Sequence, residues 1–497
     1  MKANGAKLMV IRDAHDYLIE RGIVPDYALS VDPLPTAADC FKSPHLSVEY
    51  LISAQSDDVM FDFLKAANVT VWYPYITDGQ REPKNKMLIG GATTSGLRGI
   101  VVAYVLGYRD FHIFGMDSCL SGDALRVNGT KAKEDDQIVD VRLERDGPVF
   151  YCNTAMALQA QNFQDIYEQL PGATFKGYGE GLIQSMILEN ARRARWLATL
   201  EPIPDNGRVS FIHRGGPSMA SFRYRASLPA AEMNASVNDL TASTLVFAKP
   251  QSEELIEMAE AKTRGQWVVV DFCDDHFTWP HYQEALRLAD AVTCATPAMA
   301  EIIRTQRRYA REASIVPDPY EFVEQRPHFS GLHLLWFGHS VNRPSLDRIM
   351  PDLAGYPLRT VSNFEGSIQW NLEQMPDHFA WADIVLLPAT DGYRSPNRAI
   401  EAIRQGCFVV AEPHPAINDF PGIYIGNIKE GLEWVKRQPL RQINRSISTA
   451  QKYVRDAYAP STVASAWKSA IQRPTTLEAD ATLGPDGSML TAQMMQT

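Results

Sequence analysis

The sequence predicts an α/β protein built from three doubly wound domains, and three observations carry that prediction. Short apolar runs rich in β-branched and aromatic residues recur along the chain of 497 residues and end in turn residues, the pattern of buried parallel strands. Helical stretches separate them, so strand and helix alternate as a parallel sheet with crossover helices requires. Two breaks, EPIPDNG at 201–207 and the proline-rich SIVPDPYEFVEQRPHFS at 314–330, divide the alternation into blocks.

In the first block, residues 1–180, the runs YALSVD (27–32), VTVWYPY (69–75) and FHIFGMD (111–117) are predicted strands, and TTSGLRGIVVAYVLGY (93–108) a packed helix. A helix over GLIQSMILENARRARWLATLE (181–201) makes residues 181–206 a helical linker. The second block, 207–328, has predicted strands VSFIH (209–213), STLVFAK (243–249) and QWVVVDF (266–272), and helices over 252–263 and HYQEALRLADAV (281–292). The third, 329–473, has strands LHLLWFG (332–338), ADIVLLPA (382–389) and CFVVAE (407–412), with a helix over PNRAIEAIRQG (396–406). Residues 474–497 lack any periodicity and are predicted to be a disordered tail.

Composition excludes several classes. The 48 basic against 59 acidic residues give a net charge of -11 with no basic half or tail, which argues against nucleic acid as a partner held by bulk charge. No apolar run is long enough to span a bilayer, and the start lacks the order of a secretory signal. The six cysteines stand singly, without a CxxC pair, so free thiols in a reducing cytoplasm are expected and a zinc knuckle is not. No resident metal or cofactor is expected, and the oligomeric state is not readable.

The most informative segment is ADIVLLPATDGYRSPNRAIEAIRQGCFVVAEPHPA (382–416). A strand ends at Leu387, and Ser395 and Pro396 form a helix N-terminal signature. A helix start at the carboxyl edge of a parallel sheet presents free N–H groups to an anion, and Arg394 and Arg398 flank it. Glu401 follows within two turns, and Gly406 closes the helix. Two further turns suit the same chemistry: Gly338 and Arg343 in WFGHSVNRPSLDRIM (336–350), and Gly215, Gly216, Arg223 and Arg225 in HRGGPSMASFRYRASLP (213–229). In VVVDFCDDHFTWPHY (268–282), Asp274, Asp275 and His276 directly follow a strand, where such folds place cleft residues; a divalent-metal set and a helix cap cluster are the other readings of these three.

Over about 208–440 these features resemble GT-B glycosyltransferases of the retaining kind, two Rossmann-like domains with the site in the cleft between them. The resemblance implies a nucleoside-diphosphate sugar as donor substrate and no metal. It implies that Gly338, Arg343, Arg394, Ser395, Asn397 and Arg398 meet the diphosphate and that Glu401 holds the ribose. Gly215, Gly216, Arg223 and Arg225 would lie on the acceptor side, with His276 and Asp275 catalytic. The first Glu of the family pattern falls on Tyr393 here.

In the first block, Asp32 and Asp117 are predicted at strand ends, and Gly90-Gly91-Ala92-Thr93-Thr94-Ser95 opens a helix. Over about 10–170 this resembles the domain shared by 6-hydroxymethylpterin pyrophosphokinases and Maf flagellin-glycosylation proteins. That likeness implies a nucleotide facing Asp32, Gly91, Thr93, Ser95, Asp117 and Ser118. The family's opening strand and Gly-Pro-Ser loop have no counterpart ahead of the helix over 13–22. The function expected is transfer of a sugar from a nucleotide sugar to an acceptor left open: surface polymer, protein or modified nucleobase. The alternatives are pyrophosphokinase or nucleotide-sugar transferase activity in the first block, or a non-catalytic nucleotide-binding scaffold.

Overall fold

The computed structural model describes residues 5–76, 86–91, 94–120, 137–143, 147–306 and 309–473. The tail predicted over 474–497 lies outside the described residues, as does Thr93. The chain is mixed α/β with parallel sheets and divides into two compact units, Met1–Trp196 and Leu197–Thr497.

In the first unit, β1 (Met9–Ile11), β2 (Tyr27–Ser30), β3 (Glu49–Ser53), β4 (Asn68–Pro74) and β5 (Leu88–Ile89) form a parallel sheet in chain order. β6 (Asp110–Phe114) precedes an antiparallel pair, β7 (Ile138–Val141) with β8 (Phe150–Asn153), and itself pairs in parallel with β9 (Thr174–Tyr178). Two sequence expectations change here. A strand does precede the first helix: Met9–Ile11 pairs with Tyr27–Leu29, and Arg12-Asp13 lead from it into the helix Ala14–Ile19. The helix Leu182–Leu197 is not a free linker at its start, because Leu182, Ile183, Met186 and Ile187 are buried in one core with Phe111 and Phe175.

The second unit holds two lobes, each on a six-stranded parallel sheet. The first lobe contains β10 (Val209–Ile212), β11 (Ser236–Val237), β12 (Thr244–Ala248), β13 (Trp267–Phe272), β14 (Ala291–Cys294) and β15 (Ser314–Ile315), in spatial order 11-10-12-13-14-15. The second contains β16 (Leu334–Phe337), β17 (Leu358–Ser362), β18 (Ile368–Gln369), β19 (Ile384–Leu387), β20 (Phe408–Ala411) and β21 (Tyr424–Ile425), in order 18-17-16-19-20-21. In the second lobe the order reverses between β16 and β19, the switch point at which doubly wound sheets open a crevice at their carboxyl edge. The helix predicted over 281–292 ends earlier, at Leu288. Ala289 is extended and the Asp290 carboxylate accepts from Val268 N–H at 2.9 Å, which turns the remaining apolar residues into β14.

The lobes are joined by two chain crossings. Residues 316–330 run from the first lobe to the second; the chain returns between the helices Leu440–Ala457 and Pro460–Ala470. The crossings touch: Tyr320 N–H donates to the Tyr458 carbonyl at 3.1 Å. The last helix then packs on the first lobe, its buried Trp467 edge-on to Phe211 at 5.2 Å and beneath the Arg225 guanidinium at 4.8 Å. Trp467→Ala is expected to cost about 3–5 kcal/mol in chemical unfolding, the usual toll of removing a buried aromatic, while exposed Lys468→Ala stays within about 0.5 kcal/mol. Equal midpoints for the two variants would refute this docking.

Candidate functional site

The carboxyl edge of the second lobe carries the strongest feature. β19 ends at Leu387, a turn follows, and the helix Asn397–Arg404 begins with no side chain capping its first N–H groups. A small cavity of about 40 Å³ opens there, lined by Pro388, Thr390, Ser395, Pro396, Arg398 and His414 among others. Ser395 Oγ donates to Asn397 Oδ1, which fixes two predicted phosphate contacts to each other. Arg394 is half-buried and held by Asp391 at 3.0 Å. Arg398 has no carboxylate partner among the described residues, and Nη1 reaches only the Phe337 carbonyl at 3.4 Å. Burial, and then the nearby charge of Arg394, push the Arg398 guanidinium down to about 10. It stays charged at neutral pH in surroundings that penalise charge. Gly338 lies directly against it: a Cβ added there would stand 3.4 Å from Arg398 Nη1 and from the Trp336 ring. Arg343 is placed otherwise, its side chain half exposed, 3.4 Å from Asp347 and over the Phe364 ring.

Glu401, one turn beyond Arg398, does not face open space. It is 3% exposed, and Oε1 accepts from the Tyr224 hydroxyl at 3.1 Å and from Glu321 N–H at 2.9 Å. Its carboxylate belongs to the seam between the lobes, which leaves the implied ribose role without an exposed acceptor. Burial pushes Glu401 up to about 7, the neighbouring Glu321 charge adding to it against the hydrogen bonds it accepts.

The two arginines expected on the acceptor side are structural. Arg225 is 1% exposed and saturated: Asp271 at 2.5 and 2.8 Å, Asp318 at 3.0 Å and the Val316 carbonyl at 2.6 Å. Arg223 is buried between Glu321, at 2.8 Å, and the Pro217 carbonyl, at 2.7 Å. Both guanidinium groups are thus committed mainly to partners within the fold. The glycine turn after β10 is built on His213: Nδ1 accepts from Gly215 N–H at 2.8 Å while Nε2 meets Ser221 Oγ at 3.0 Å. Burial pushes His213 down to about 4, so the ring is neutral as these bonds require. Gly215 is needed for packing, since a Cβ would fall 2.3 Å from Met219 Sδ; Gly216 faces open space.

After β13, Asp275 is exposed and His276 stacks on Trp279 at 4.1 Å. The inward acid of this loop is Asp274, paired with Lys249 Nζ at 2.6 Å. Burial alone would raise Asp274, but Lys249, and further off Arg394 of the second lobe, hold it below its ordinary value. Lys249 was not singled out from the sequence. It directly follows β12 with φ 54, a left-handed conformation that a side-chain-bearing residue rarely takes without a local reason. Nothing in AKP marks that dihedral. The lobes also meet where Thr296 Oγ1 donates to the Tyr393 carbonyl at 2.7 Å. Among the described residues no group of three or more His, Cys, Asp and Glu is placed to hold a metal ion.

The residues expected to face a nucleotide in the first unit are only partly drawn together. Ser118, with φ 51, donates to Gln159 at 2.7 Å, and Gln159 donates to Thr94 Oγ1 at 3.0 Å, the cap that starts the helix Ser95–Val105. Ser118 and Thr94, the residue before Ser95, are thus bridged by one glutamine. Asp117 is exposed. Asp32 is engaged elsewhere, paired with Arg12 at 2.7 Å. Gly91, φ 142, lies against Arg98, which a Cβ would approach to 3.1 Å.

The buried Glu401 makes a checkable statement about pH. Its proton is held more tightly in the folded chain than in the unfolded one, so its contribution to stability is lost as pH rises from about 4.5 to about 7. Between pH 4.5 and 8 the stability of Glu401→Gln relative to wild type is expected to improve by about 3 kcal/mol, measured by urea unfolding. A difference that does not change with pH would show that this carboxylate is not desolvated.

No protein-family model matches the chain, and no curated protein matches it. Among solved structures, Anabaena HepE in complex with UDP is similar at 11% identity over 55% of this chain and 100% of that one, with a TM-score of 0.43. The DNA-modifying enzyme β-glucosyltransferase is similar at 12% identity over 54% of this chain and 100% of that one, TM-score 0.38. An α1,3-fucosyltransferase is similar at 9% identity over 56% of this chain and 92% of that one, TM-score 0.35.

Proposed function

We propose that the chain is a glycosyltransferase whose second unit transfers a sugar from a nucleoside diphosphate to an acceptor. The observation that carries this reading is Arg398: a partly buried guanidinium with no carboxylate partner among the described residues, at an uncapped helix start, on the carboxyl edge of a parallel sheet. A diphosphate supplies the missing counter-charge and acceptors for the free N–H groups at one stroke. Ser395 lines the same cavity, Asn397 is bonded to it and Arg394 adds charge nearby, while Gly338 lies beside Arg398. The sequence resemblance to GT-B enzymes over about 208–440 points the same way.

In the proposed reaction the bond between the anomeric carbon and the diphosphate oxygen breaks as a bond to an acceptor oxygen or nitrogen forms. The departing charge develops on the diphosphate, where Arg398 and the helix start are already oriented, so little reorganisation is needed. The acceptor proton passes to a base of the first lobe. His276 and Asp275, on the loop after β13, are the proposed candidates, with Asp274 fixed beside them by Lys249.

Thermal unfolding with nucleotides tests the reading. At about 100-fold excess over Kd, a bound nucleoside diphosphate is expected to stabilise the wild type by about 2.7 kcal/mol. Arg398→Ala should weaken that binding about 10- to 100-fold, the worth of a charge-assisted contact, while leaving the ligand-free protein as stable or more so. The proposal fails if UDP, GDP, CDP and ADP all leave the wild type unchanged at millimolar concentration, or if Arg398→Ala destabilises the ligand-free chain and keeps the nucleotide shift.

A further inference from the structure

Glu401 joins both lobes and the segment between them through its carboxylate, as Arg223 does through its guanidinium, which pairs with Glu321 and lies over the Trp370 ring of the second lobe at 5.3 Å. The helix of Glu401 belongs to the second lobe; Tyr224, which donates to Oε1, belongs to the first; Glu321, whose N–H donates to the same oxygen, lies in the crossing. Tyr224 itself is buried in a π-helical turn, Arg223–Ser227, an irregularity frequent at functional positions. The second oxygen, Oε2, is sealed from solvent and makes no hydrogen bond of standard geometry, the Phe322 backbone N–H giving the carboxyl only weak support. A carboxylate oxygen buried with so little donor support is costly, and such groups mark places where a fold is held for reasons other than its own stability.

The crossing is pinned from both sides. Arg225 and Arg223 of the first lobe hold Asp318 and Glu321 at 3.0 and 2.8 Å. Arg404 of the second lobe holds Glu324 and the Phe322 carbonyl; Gln405 Nε2 donates to the Val323 carbonyl at 2.9 Å and Gln451 Nε2 to the Gln325 carbonyl at 2.7 Å. Between these two clamps Glu401 reaches across to Tyr224 of the first lobe by a hydrogen bond. It stands three residues from Arg398 on the same helix, so a rotation of that helix moves the anion site and the seam together.

We propose that Glu401 is a positioning residue that sets the angle between the two lobes, and with it the approach of the first lobe to the anion site at Arg398. For that anion site it rests on the reading given under Proposed function. The role differs from ribose binding, which the sequence resemblance implies for this position, because the carboxylate is committed to protein groups on both sides of the seam.

Hydrogen exchange of the full chain, first without nucleotide, tests the hinge role alone. Glu401→Ala is expected to raise exchange about tenfold at residues 391–396 and 296–299, the other lobe contact, which Glu401 does not itself touch. Tyr224→Phe, which leaves the helix intact, should do the same should Glu401→Ala fold poorly; Glu401→Gln, keeping the acceptor oxygen, should restore most of the protection. Titration with whichever of UDP, GDP, CDP or ADP stabilises the wild type should give a Kd within about threefold of wild type for both Tyr224→Phe and Glu401→Gln. Exchange changes confined to Glu321 and its neighbours overturn the proposal. So does unchanged exchange at 391–396 with a Kd weakened tenfold or more, the result expected of a ribose ligand. A wild type that binds none of the four nucleotides overturns the donor reading only; the ligand-free exchange still decides the hinge role.

Discussion

At the first turn of the helix Asn397–Arg404 a partly buried guanidinium has no carboxylate beside it among the described residues, and the functional reading turns on that charge. The contrast with Arg225 is instructive. Arg398 is partly buried and Arg225 fully, yet Arg225 is met by Asp271 and Asp318 and is a finished part of the core. Arg398 is met by a carbonyl at the limit of hydrogen bonding and by the charge of Arg394, which opposes it. A buried ion pair is satisfied within the fold, whereas a buried lone cation is satisfied only by something from outside.

The same helix serves a second purpose at its other end. Glu401, Arg404 and Gln405 take hold of the segment that joins the lobes, and Glu401 extends to Tyr224 of the first lobe. Anion site and inter-lobe seam therefore share one rigid element of eight residues. Chemistry at a cleft needs both walls placed, and here the wall that carries the positive charge also governs where the other wall stands.

Much of the architecture was legible in the sequence because the strands of the second unit are short, continuous apolar runs. VVVDF, IVLL and FVVA can hardly be anything but buried parallel strands, and each is one. The strand Ala291–Cys294 was absorbed into a helix because LADAV continues the helical spacing, and only Asp290 bonding to Val268, far back in the chain, ends it. The arginines mislead for a related reason. Arg223 and Arg225 stand in a glycine-rich, cationic stretch typical of an anion loop, but their partners Glu321, Asp271 and Asp318 lie 46 to 98 residues away. Asp271 in particular sits within an apolar strand. Glu401 has its tyrosine 177 residues distant, so no local pattern distinguishes a carboxylate awaiting a sugar from one serving a seam. Lys249 was invisible because its signature is a backbone dihedral.

The pair of chain crossings that lie side by side, joined at Tyr320 and Tyr458, has a mechanical meaning. One strand between two bodies is a swivel; two parallel strands, laid together, form a strap that bends about one line and resists sliding or twisting apart. Opening and closing would then follow a nearly one-dimensional path, so that each cycle returns the lobes to the same register.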